Sequence, residues 1–335
     1  MSFCYQIYVI IKPLVSIIVV NYNGERYLKN CFFSLIDGTY RNLEIIFVDN
    51  GSADGSVELV GREFPQIKII KMGYNAGLAI ASNSGAAQAR GKHLFFLNND
   101  TISDKNIIRE LVAVAEGDDR IGICGCRTMS YDGKVELNAG VACDIFGYPY
   151  GDGLPLYVDA GIFIRRDVFD RIGGFDSKLF LYGEDKDLCW RTLLYGYKME
   201  VVKKAVFYHD SFCAIDTTGN LNTNIRKRFM GEAFTMRALL KNYSLLSLIF
   251  VFPAYIFINC MEIMLFLLKG RLDIVFKAYL NAYRWNLSNL PDTLRLRKKI
   301  QSERRVSDIE IIKRMYRGSG KLKLFRQVGV PQFSG

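Results

Sequence analysis

The segment HLFFLNND, residues 93–100, decides the fold, because an apolar strand in it runs directly into polar side chains. Residues 94–97 have the length and composition of a strand that is buried in a sheet. In open α/β sheets the residues after such a strand lie at the carboxyl edge, where these folds bind ligands. Two amides and Asp100 there suit a divalent cation and a phosphate, since hard cations prefer oxygen ligands. A turn or a helix cap uses the same residue types, so this segment alone leaves the function open.

Strands and helices alternate along residues 13–224, with short connections between them. Apolar and β-branched runs predict the strands, which cover 15–20, 43–48, 68–71, 93–97, 157–165, 198–202 and 206–209. Apolar residues at helical spacing predict the helices, which cover 25–36, 56–64, 76–89, 103–116 and 184–195. This order predicts an α/β domain with a mostly parallel, helix-covered sheet.

The net charge of +10 is carried by the C-terminal third of the chain. Residues 225–335 hold 21 Lys and Arg against 7 Asp and Glu, whereas residues 1–224 are slightly acidic. Basic tails bind nucleic acid or anionic membrane surfaces. Aromatic and aliphatic residues dominate this tail, and it carries no motif of an RNA-binding or zinc-finger protein. The composition therefore favours a membrane surface over nucleic acid.

We divide the chain into an N-terminal extension (1–12), an α/β domain (13–224) and a basic, apolar helical region (225–335). The apolar run within the extension is too short to span a bilayer and lacks the basic start of a signal peptide. In the last region, a basic amphipathic helix is predicted over 225–242. It precedes residues 244–268, which carry one charge, Glu262, and one proline, Pro253.

Residues 244–268 are long enough to cross a bilayer. Basic residues flank them on both sides, which opposes a single span because basic segments prefer the cytoplasmic side. A hairpin broken at Pro253, or helices that lie in the membrane interface, satisfies both flanks better. A core helix, or a helix buried in a homo-oligomer, is the alternative.

Four polar loops carry the candidate chemistry, and each lies at the end of a predicted strand or the start of a helix. They are Asn21-Tyr22-Asn23-Gly24, Asp49-Asn50-Gly51-Ser52, Asn98-Asn99-Asp100 and Gly183-Glu184-Asp185. The carboxyl ends of neighbouring parallel strands meet at one edge of a sheet, so Asp49 and Asp100 are expected in one site.

Six segments together resemble the family-2 glycosyltransferases, and in particular their rhamnosyltransferase-like branch. They are VSIIVVNYNGERYL, IFVDNGSADGS, NAGLAIASNSGAAQARG, LFFLNND, DAGIFIRRDVFDRIGGFD and LYGEDKDLCWRTLLYGYK, in order between residues 13 and 243. The resemblance implies a GT-A fold, in which a Rossmann-like nucleotide-binding domain with a mixed sheet also binds the acceptor. It also implies an inverting transfer of a sugar from a nucleotide-diphosphate donor, with dTDP-rhamnose or a UDP-hexose as the leading donors.

The resemblance also assigns roles on the donor side. Val20 and Tyr22 would flank the nucleobase, and Asp49 would bind the base or the ribose. The other residues assigned to donor binding are Asn75, Gly77 and Asn98. Asn98 stands where many family members have Asp, which predicts a cation that is held largely by the phosphates of the donor.

Asp100 matches the last acid of the family's DxD-type motif and would bind Mg²⁺ or Mn²⁺, together with His209. Asp185 matches the acid of the ED motif and would be the general base. Glu184 and Trp190 are candidates for the acceptor side. Other roles stay open for four of them. His209 can be a satisfied core histidine, Glu184 and Asp185 can favour the start of their helix through the helix dipole, and Trp190 can serve packing.

The sequence therefore predicts a metal-dependent glycosyltransferase that acts on a hydroxyl of a lipid-linked or growing surface glycan. Its eight cysteines are scattered without a CxxC pair, which indicates reduced thiols, and the basic tail predicts a place on the cytoplasmic side of the cell membrane. A catalytically silent subunit that binds a nucleotide or scaffolds a complex is the alternative. A nucleotidyltransferase is less favoured, because no Gly-rich basic loop follows the first strand.

Overall fold

The computed structural model describes residues 12–150, 154–210 and 222–333, so most of the N-terminal extension lies outside the described residues. The first half of the chain alternates strands and helices: β1 (Val15–Asn21), α1 (Glu25–Ile36), β2 (Leu43–Asp49), α2 (Ser56–Glu63), β3 (Lys68–Lys71), α3 (Leu78–Gln88), β4 (His93–Asn98), β5 (Thr101–Ser103), α4 (Ile107–Ala115), β6 (Ile121–Ser130) and β7 (Glu136–Asn138). The second half continues with β8 (Gly161–Arg165), α5 (Arg166–Ile172), α6 (Glu184–Leu194), β9 (Lys198–His209) and β10 (Asn222–Thr223).

The C-terminal region is helical, as its sequence predicts. It contains α7 (Ile225–Asn242), α8 (Leu245–Leu268), α9 (Leu272–Ile274), a π-helical turn (Val275–Leu280), α10 (Asn281–Ser288), α11 (Leu290–Glu303), α12 (Asp308–Ile312) and α13 (Gly320–Val328). A short strand, β11 (Gln332–Phe333), then pairs with β10.

One mixed sheet organises the α/β domain, and its strand order is β3-β2-β1-β4-β8-β6-β9-β5. The strands β3, β2, β1 and β4 run parallel, whereas β8 and β5 run antiparallel to their neighbours. Val20 lies opposite both Val48 and Asn98 in the register, so the loops after β1, β2 and β4 leave the sheet at one level. The α/β class and the helix-covered mixed sheet are thus confirmed.

Side chains of the central strands alternate between two apolar layers. Ile17 and Val19 pack with α1 and α4 on one face, and Ile18 packs with α3 and α5 on the other. The small residues of α3 let that helix approach closely, since a Cβ atom on Gly85 would lie 2.5 Å from Cγ2 of Ile18. Helices on both faces leave the loops at the carboxyl edge as the open side of the sheet.

Three of the predicted strands differ from the structure. The strand predicted over 157–165 begins only at Gly161, because Ala160 adopts a positive φ of 56° and turns the chain at the edge of the sheet. The strands predicted over 198–202 and 206–209 form one strand, β9, whose register against β6 shifts between Cys126 and Arg127. Residues 203–205, between the two predicted ranges, form the irregular part of one continuous strand.

Helix α7 is tied to the α/β domain by buried ion pairs. Arg237 donates two hydrogen bonds to Asp176, at 2.7 and 3.0 Å, and Lys241 contacts Asp176 and lies 2.8 Å from Asp187. All four side chains are almost fully buried. Arg237 and Lys241 are among the basic residues that precede the apolar residues 244–268. The structure neutralises the charges of these two inside the protein.

A second buried cluster of charges joins α7, α8 and α13. Arg228 pairs with Glu232 at 3.1 Å and with Glu262 at 2.5 Å, while Lys321 lies 2.7 Å from each of these two carboxylates. Glu262, the one acidic residue of α8, is therefore turned inward. The apolar helix is fixed to the rest of the protein along the side that carries it.

Helix α8 is continuous, so a hairpin broken at Pro253 is wrong. Pro253 lies inside the helix, where it removes one backbone donor without ending the helix. Among the described residues, one helix, α8, is long and apolar enough to cross a membrane. Its most apolar stretch of 18 residues has a mean hydropathy of 2.0, and 22% of that stretch is buried. Its outer face exposes large side chains, including Leu246, Phe250 and Phe257 at 69%, 70% and 65%.

The ion pairs of Asp176 predict a large effect of one substitution on stability. Asp176→Asn leaves Arg237 and Lys241 buried without their shared carboxylate, so we expect the free energy of unfolding to fall by about 3–5 kcal/mol. Equilibrium unfolding in urea measures this change. Glu310→Gln is the control, because its exposed pair with Lys313 should change stability by less than about 1 kcal/mol. Equal effects of the two substitutions would contradict the role of Asp176.

Candidate active site

A cavity of about 490 Å³ opens beside the carboxyl edge of the sheet. It lies between the start of α6, the end of β9 and the first turns of α7. Charged side chains line much of its wall: Asp159, Glu184, Asp185, Lys186, His209, Lys227, Arg228 and Glu232. A narrow crevice lined by Val20 and Leu78 shares Asn98 and Asp185 with the cavity. Val20, Asn98 and His209 are therefore neighbours of Asp185, whereas the predicted residues Tyr22, Asp49, Asn75, Gly77 and Asp100 line neither space.

Asn21 holds the loops after β1, β2 and β4 together. Its amide nitrogen donates to the hydroxyls of Ser52 and Ser56, at 3.1 and 2.9 Å, and its oxygen accepts a 2.5 Å bond from Asn99. The side chain of Asn21 is fully buried, and its bond to Ser56 is made away from water, whereas the bonds with Ser52 and Asn99 are partly buried. The loops that surround the site thus have a fixed relative position.

Asp49 lies at the end of β2 with one carboxylate oxygen available to a ligand. Its Oδ2 accepts from the backbone nitrogen of Ser52 at 3.3 Å. Its Oδ1 is buried and has no hydrogen-bond partner among the residues that the structure describes. A buried oxygen without a partner is unfavourable unless a donor reaches it, which suits the N–H or O–H groups of a nucleoside.

Asn75 and Gly77 shape the neighbouring loop. Asn75 accepts hydrogen bonds from the side chain of Asn50 at 3.1 Å and from the backbone of Gly77 at 3.2 Å. Gly77 has a φ of 87°, and a Cβ atom there would lie 2.7 Å from the ring of Phe180. The close approach needs glycine, and it joins this loop to the segment that leads into α6.

Asp100 and His209 face each other across strands β5 and β9. The Oδ1 atom of Asp100 lies 3.1 Å from Nε2 of His209, and the amide nitrogen of Asn98 lies 3.5 Å from the same ring nitrogen. Both Asp100 and His209 keep some exposure to solvent, so His209 is not a fully enclosed core histidine. Among the described residues, no three His, Cys, Asp or Glu side chains form a group that could hold a metal ion.

This donor set fits a cation that is shared with a ligand. One carboxylate and one imidazole are suitable ligands for Mn²⁺, and Asp100 alone suits Mg²⁺, which prefers oxygen. Two protein ligands leave most positions of such an ion to phosphate oxygens and water. Asp100 and His209 are therefore the residues that would hold it.

Asp185 lies in the first turn of α6 and reaches both the cavity and the crevice. Its half-buried carboxylate makes no side-chain hydrogen bond that we find within residues 12–150, 154–210 and 222–333. Burial and the nearby carboxylates of Glu184 and Asp159 raise its pKa well above the usual range. Such a group binds a proton more readily than an exposed aspartate, as a general base must.

Backbone strain sets the position of α6. Tyr182 and Gly183, directly before the helix, have φ values of 68° and 113°. Positive φ at a tyrosine is uncommon, and it needs support from the surrounding structure. The turn directs Glu184 and Asp185 into the cavity wall at the amino end of the helix.

Comparison with known proteins finds a family likeness over part of the chain. Residues 16–173, just under half of the chain, match the profile described as Glycosyl transferase family 2. The chain is 35% identical over 144 residues to an uncharacterized glycosyltransferase of Haemophilus influenzae, covering 42% of each chain. It is 26% identical over 224 residues to the O-antigen biosynthesis protein RfbC of Myxococcus xanthus, covering 59% of this chain and 17% of that protein. The chain thus spans less than half the length of these relatives.

The fold of this chain is also found among solved structures. The mannosyltransferase PcManGT from Pyrobaculum calidifontis, in complex with GDP-Man and Mn²⁺, superposes with a TM-score of 0.54 at 16% sequence identity. The match covers 87% of this chain and 86% of that one. The predicted GT-A fold is thereby confirmed, whereas the rhamnosyltransferase-like branch stays a prediction.

The structure corrects one candidate of the acceptor side. Trp190 is fully buried and packs edge-on against Tyr243, with the ring centroids 5.0 Å apart. It does not reach the cavity, so a contact with an acceptor sugar is wrong and packing is its role. Glu184, by contrast, lines the cavity wall.

Asp159 is a residue of the cavity that sequence reasoning missed. It lies directly before β8, accepts a 3.1 Å bond from Asn138, and burial raises its pKa. Its place in the segment DAGIFI, an acid followed by a small-residue turn and a buried strand, is the signal that could have revealed it. The cations Lys227 and Arg228 also line the cavity, and the prediction of a basic amphipathic helix over 225–242 does not reveal which of its cations face a site.

The environment of Glu184 predicts how stability depends on pH. Burial raises the pKa of Glu184 to about 7, and one of its oxygens has no hydrogen-bond partner among the described residues. The folded state therefore favours the protonated acid. The stability that this acid contributes is fully present below the pKa that Glu184 has in the unfolded chain, and it is lost as the pH rises through the pKa of the folded state. We expect Glu184→Gln to raise the free energy of unfolding at pH 8 by about 2 kcal/mol and to have little effect near pH 4.

Urea unfolding at the two pH values measures this difference. Glu200→Gln is the matched control, because Glu200 is exposed on β9 and should leave stability nearly unchanged at both. If Glu184→Gln raises the free energy of unfolding equally at pH 4 and pH 8, the buried charge of Glu184 is not the cause of the increase.

Proposed function

We propose that this glycosyltransferase is an inverting enzyme, which moves a sugar from a nucleotide-diphosphate donor to a hydroxyl of a lipid-linked or growing surface glycan. The observation that carries the proposal is the carboxylate of Asp185. It lies in the wall of the cavity without a described hydrogen-bond partner, close to the loops that carry Asn98 and His209. The Myxococcus relative with a role in O-antigen biosynthesis supports a surface glycan as the acceptor.

The reaction we propose is a single displacement. The acceptor hydroxyl attacks the anomeric carbon from the face opposite the nucleotide, and the bond to the diphosphate oxygen breaks. Asp185 accepts the proton of the hydroxyl as the new bond forms. The bound substrates displace water from the cavity, and this strengthens the electrostatic interactions within it.

On the donor side, Asp49 is proposed to bind the base or ribose through its buried Oδ1 atom. Two strand spacings of about 5 Å separate the ends of β2 and β4, a distance that a nucleoside and its first phosphate span. Val20 and Tyr22 lie between them at the end of β1. Asp100 and His209 would hold Mg²⁺ or Mn²⁺, which when bound neutralises the charge of the leaving diphosphate.

The proposed base predicts a separation between catalysis and donor binding. Asp185→Asn keeps the shape of the side chain but cannot accept the proton, so we expect transfer to fall by about 10²–10⁴-fold. Binding of the nucleoside diphosphate, measured as a thermal shift, should be unchanged. Asp170→Asn, at an exposed position on α5, is the control and should leave both measurements unchanged. Retained transfer in Asp185→Asn would contradict the assignment.

A thermal-shift screen tests the donor. UDP, dTDP and GDP and their sugar conjugates are compared with and without Mn²⁺, since a ligand that binds the folded state raises the melting temperature. We expect one nucleotide series to stabilise the protein, more strongly with Mn²⁺, and Asp100→Asn to remove the effect of the metal. Stabilisation by nucleotide with no turnover of any donor would favour the catalytically silent subunit. Stabilisation by none would overturn the proposal.

We further propose that the enzyme works on the cytoplasmic side of the cell membrane, with the outer face of α8 in contact with lipid. The exposed Leu246, Phe250 and Phe257 form part of an apolar surface that water solvates poorly. The inner face of the same helix is held by Glu262 and its two cations. This arrangement supports a helix that lies along the membrane interface.

Substitutions on the outer face of α8 test this location better than truncation, because the tail shares buried ion pairs with α7. Phe250→Ser with Phe257→Ser removes exposed apolar surface only, so we expect binding to lipid vesicles to fall about tenfold or more while the melting temperature stays nearly unchanged. Val135→Ser with Leu154→Ser, at exposed apolar positions of the α/β domain, is the control. Equal vesicle binding by all three proteins would contradict the proposed surface.

A further inference from the structure

A second groove lies on the other side of α7, away from the catalytic cavity. It has a volume of about 620 Å³ and is formed by the first turn of α7, the π-helical turn and α10. Arg226, Lys277 and Arg284 line it, together with Trp285. The turn that carries Lys277 is π-helical, a geometry that is rare in proteins and often lies at functional sites.

The three cations of this basic groove have no ion-pair partner among the described residues. In contrast, Arg228 and Arg237 on the same helix are bound by carboxylates. The groove therefore concentrates positive charge at a concave surface, which attracts an anion. Arg226 also lies over the ring of Phe180, 5.3 Å from its centroid, which holds its side chain against the protein.

Apolar side chains surround these cations on the same stretch of chain. Phe276, Leu280 and Leu287 are exposed at 57%, 43% and 70%. Trp285 is half-buried and packs against Phe234, with the ring centroids 5.3 Å apart. Exposed aliphatic residues, a tryptophan and cations together are typical of protein surfaces that meet lipid headgroups and the outer part of the acyl chains. A nucleic acid would match the charges but not the exposed aliphatic side chains.

We propose that the basic groove binds the phosphate headgroup of an anionic membrane phospholipid. The membrane setting of this inference rests on the proposed function. Lys227 and Arg228, which follow Arg226 directly, line the catalytic cavity on the opposite side of the same helical turn. Groove and cavity are thus separated by about 10 Å, the diameter of a helix. A lipid in the groove fixes the distance of the cavity from the membrane surface, where the reactive end of a lipid-linked acceptor would lie.

The test compares two triple variants of the full chain that remove the same charge. The groove variant carries Arg226→Gln, Lys277→Gln and Arg284→Gln. The control variant carries Lys298→Gln, Lys299→Gln and Lys313→Gln, at exposed positions of the same basic region. Flotation measures binding to vesicles of phosphatidylcholine, with and without phosphatidylglycerol.

We expect the groove variant to lose about tenfold to a hundredfold in affinity for the phosphatidylglycerol vesicles, since each cation near an anionic surface contributes severalfold. The control should lose much less, and salt should weaken binding of the wild-type protein. If the groove variant does not fold, the exposed Lys277→Gln alone should still reduce the affinity by a few fold. Equal losses in the two variants would overturn the proposal, as would equal binding of the wild type to both vesicle types, or its displacement from vesicles by a single-stranded oligonucleotide.

The thermal shift with nucleoside diphosphate and Mn²⁺ separates this inference from the proposed function. It should be the same in the wild type and both variants, because none of the substituted residues lines the catalytic cavity or the crevice beside it. Equal binding of the wild type to both vesicle types, with a normal nucleotide shift, would refute the groove alone. Selective vesicle binding without any nucleotide shift in the wild type would refute the proposed function and leave the groove standing.

Discussion

The parallel pairing of β1 with both β2 and β4 is the constraint on which the rest of the site depends. It sets Val20 level with Val48 and Asn98, and it therefore delivers three polar loops to one edge of the sheet. Asn21 then locks these loops to each other through buried hydrogen bonds. A shift of one residue in this register would turn the apolar side chains of β1 to the wrong layer and move its loop relative to Asp49 and Asp100.

The catalytic half of the cavity is electrostatically unfavourable before ligands bind. Asp159, Glu184 and Asp185 lie close together, and burial raises the pKa of each. Such an arrangement lowers the stability of the folded chain at neutral pH, and it is retained where function requires it. On the same helix α6, Asp187 pairs with Arg191 and with Lys241 of α7, which holds α7 against the domain. Stability and reactivity thus come from the two sides of one helix.

Much of the fold could be predicted, because the central strands are apolar runs of clear length and their loops carry recognisable motifs. The bounds of α1 and α7 follow from local patterns, and the structure agrees with both. The start of β8 could not be predicted, since a positive φ at Ala160 arises from tertiary contacts. The inward turn of Glu262 was hidden for a similar reason. Nothing local reveals that Arg228 and Lys321, distant in sequence, lie beside it.

Resemblance to a family proposed the roles of Asp49, Asp100 and Asp185, and the geometry adds what motifs lack. It shows that one oxygen of Asp49 has no described partner, that Asp159 lies near Asp185, and that Trp190 is enclosed. These are properties of packing around a residue, and they depend on parts of the chain that are far apart in sequence. The basic tail is the clearest case, because its net charge says nothing of which cations are paired. Only the fold separates the neutralised Arg237 from the available Arg226.

The cluster of Arg228, Glu232, Glu262 and Lys321 limits how α8 can move. To span a bilayer, the helix would carry Glu262 into hydrocarbon and leave two cations without their carboxylate, at a cost of several kcal/mol. These contacts favour the proposed location of α8 along the membrane interface over a span of the bilayer. Arg228 also lines the cavity beside the sheet edge, so a tilt of α8 would displace one residue of that cavity wall.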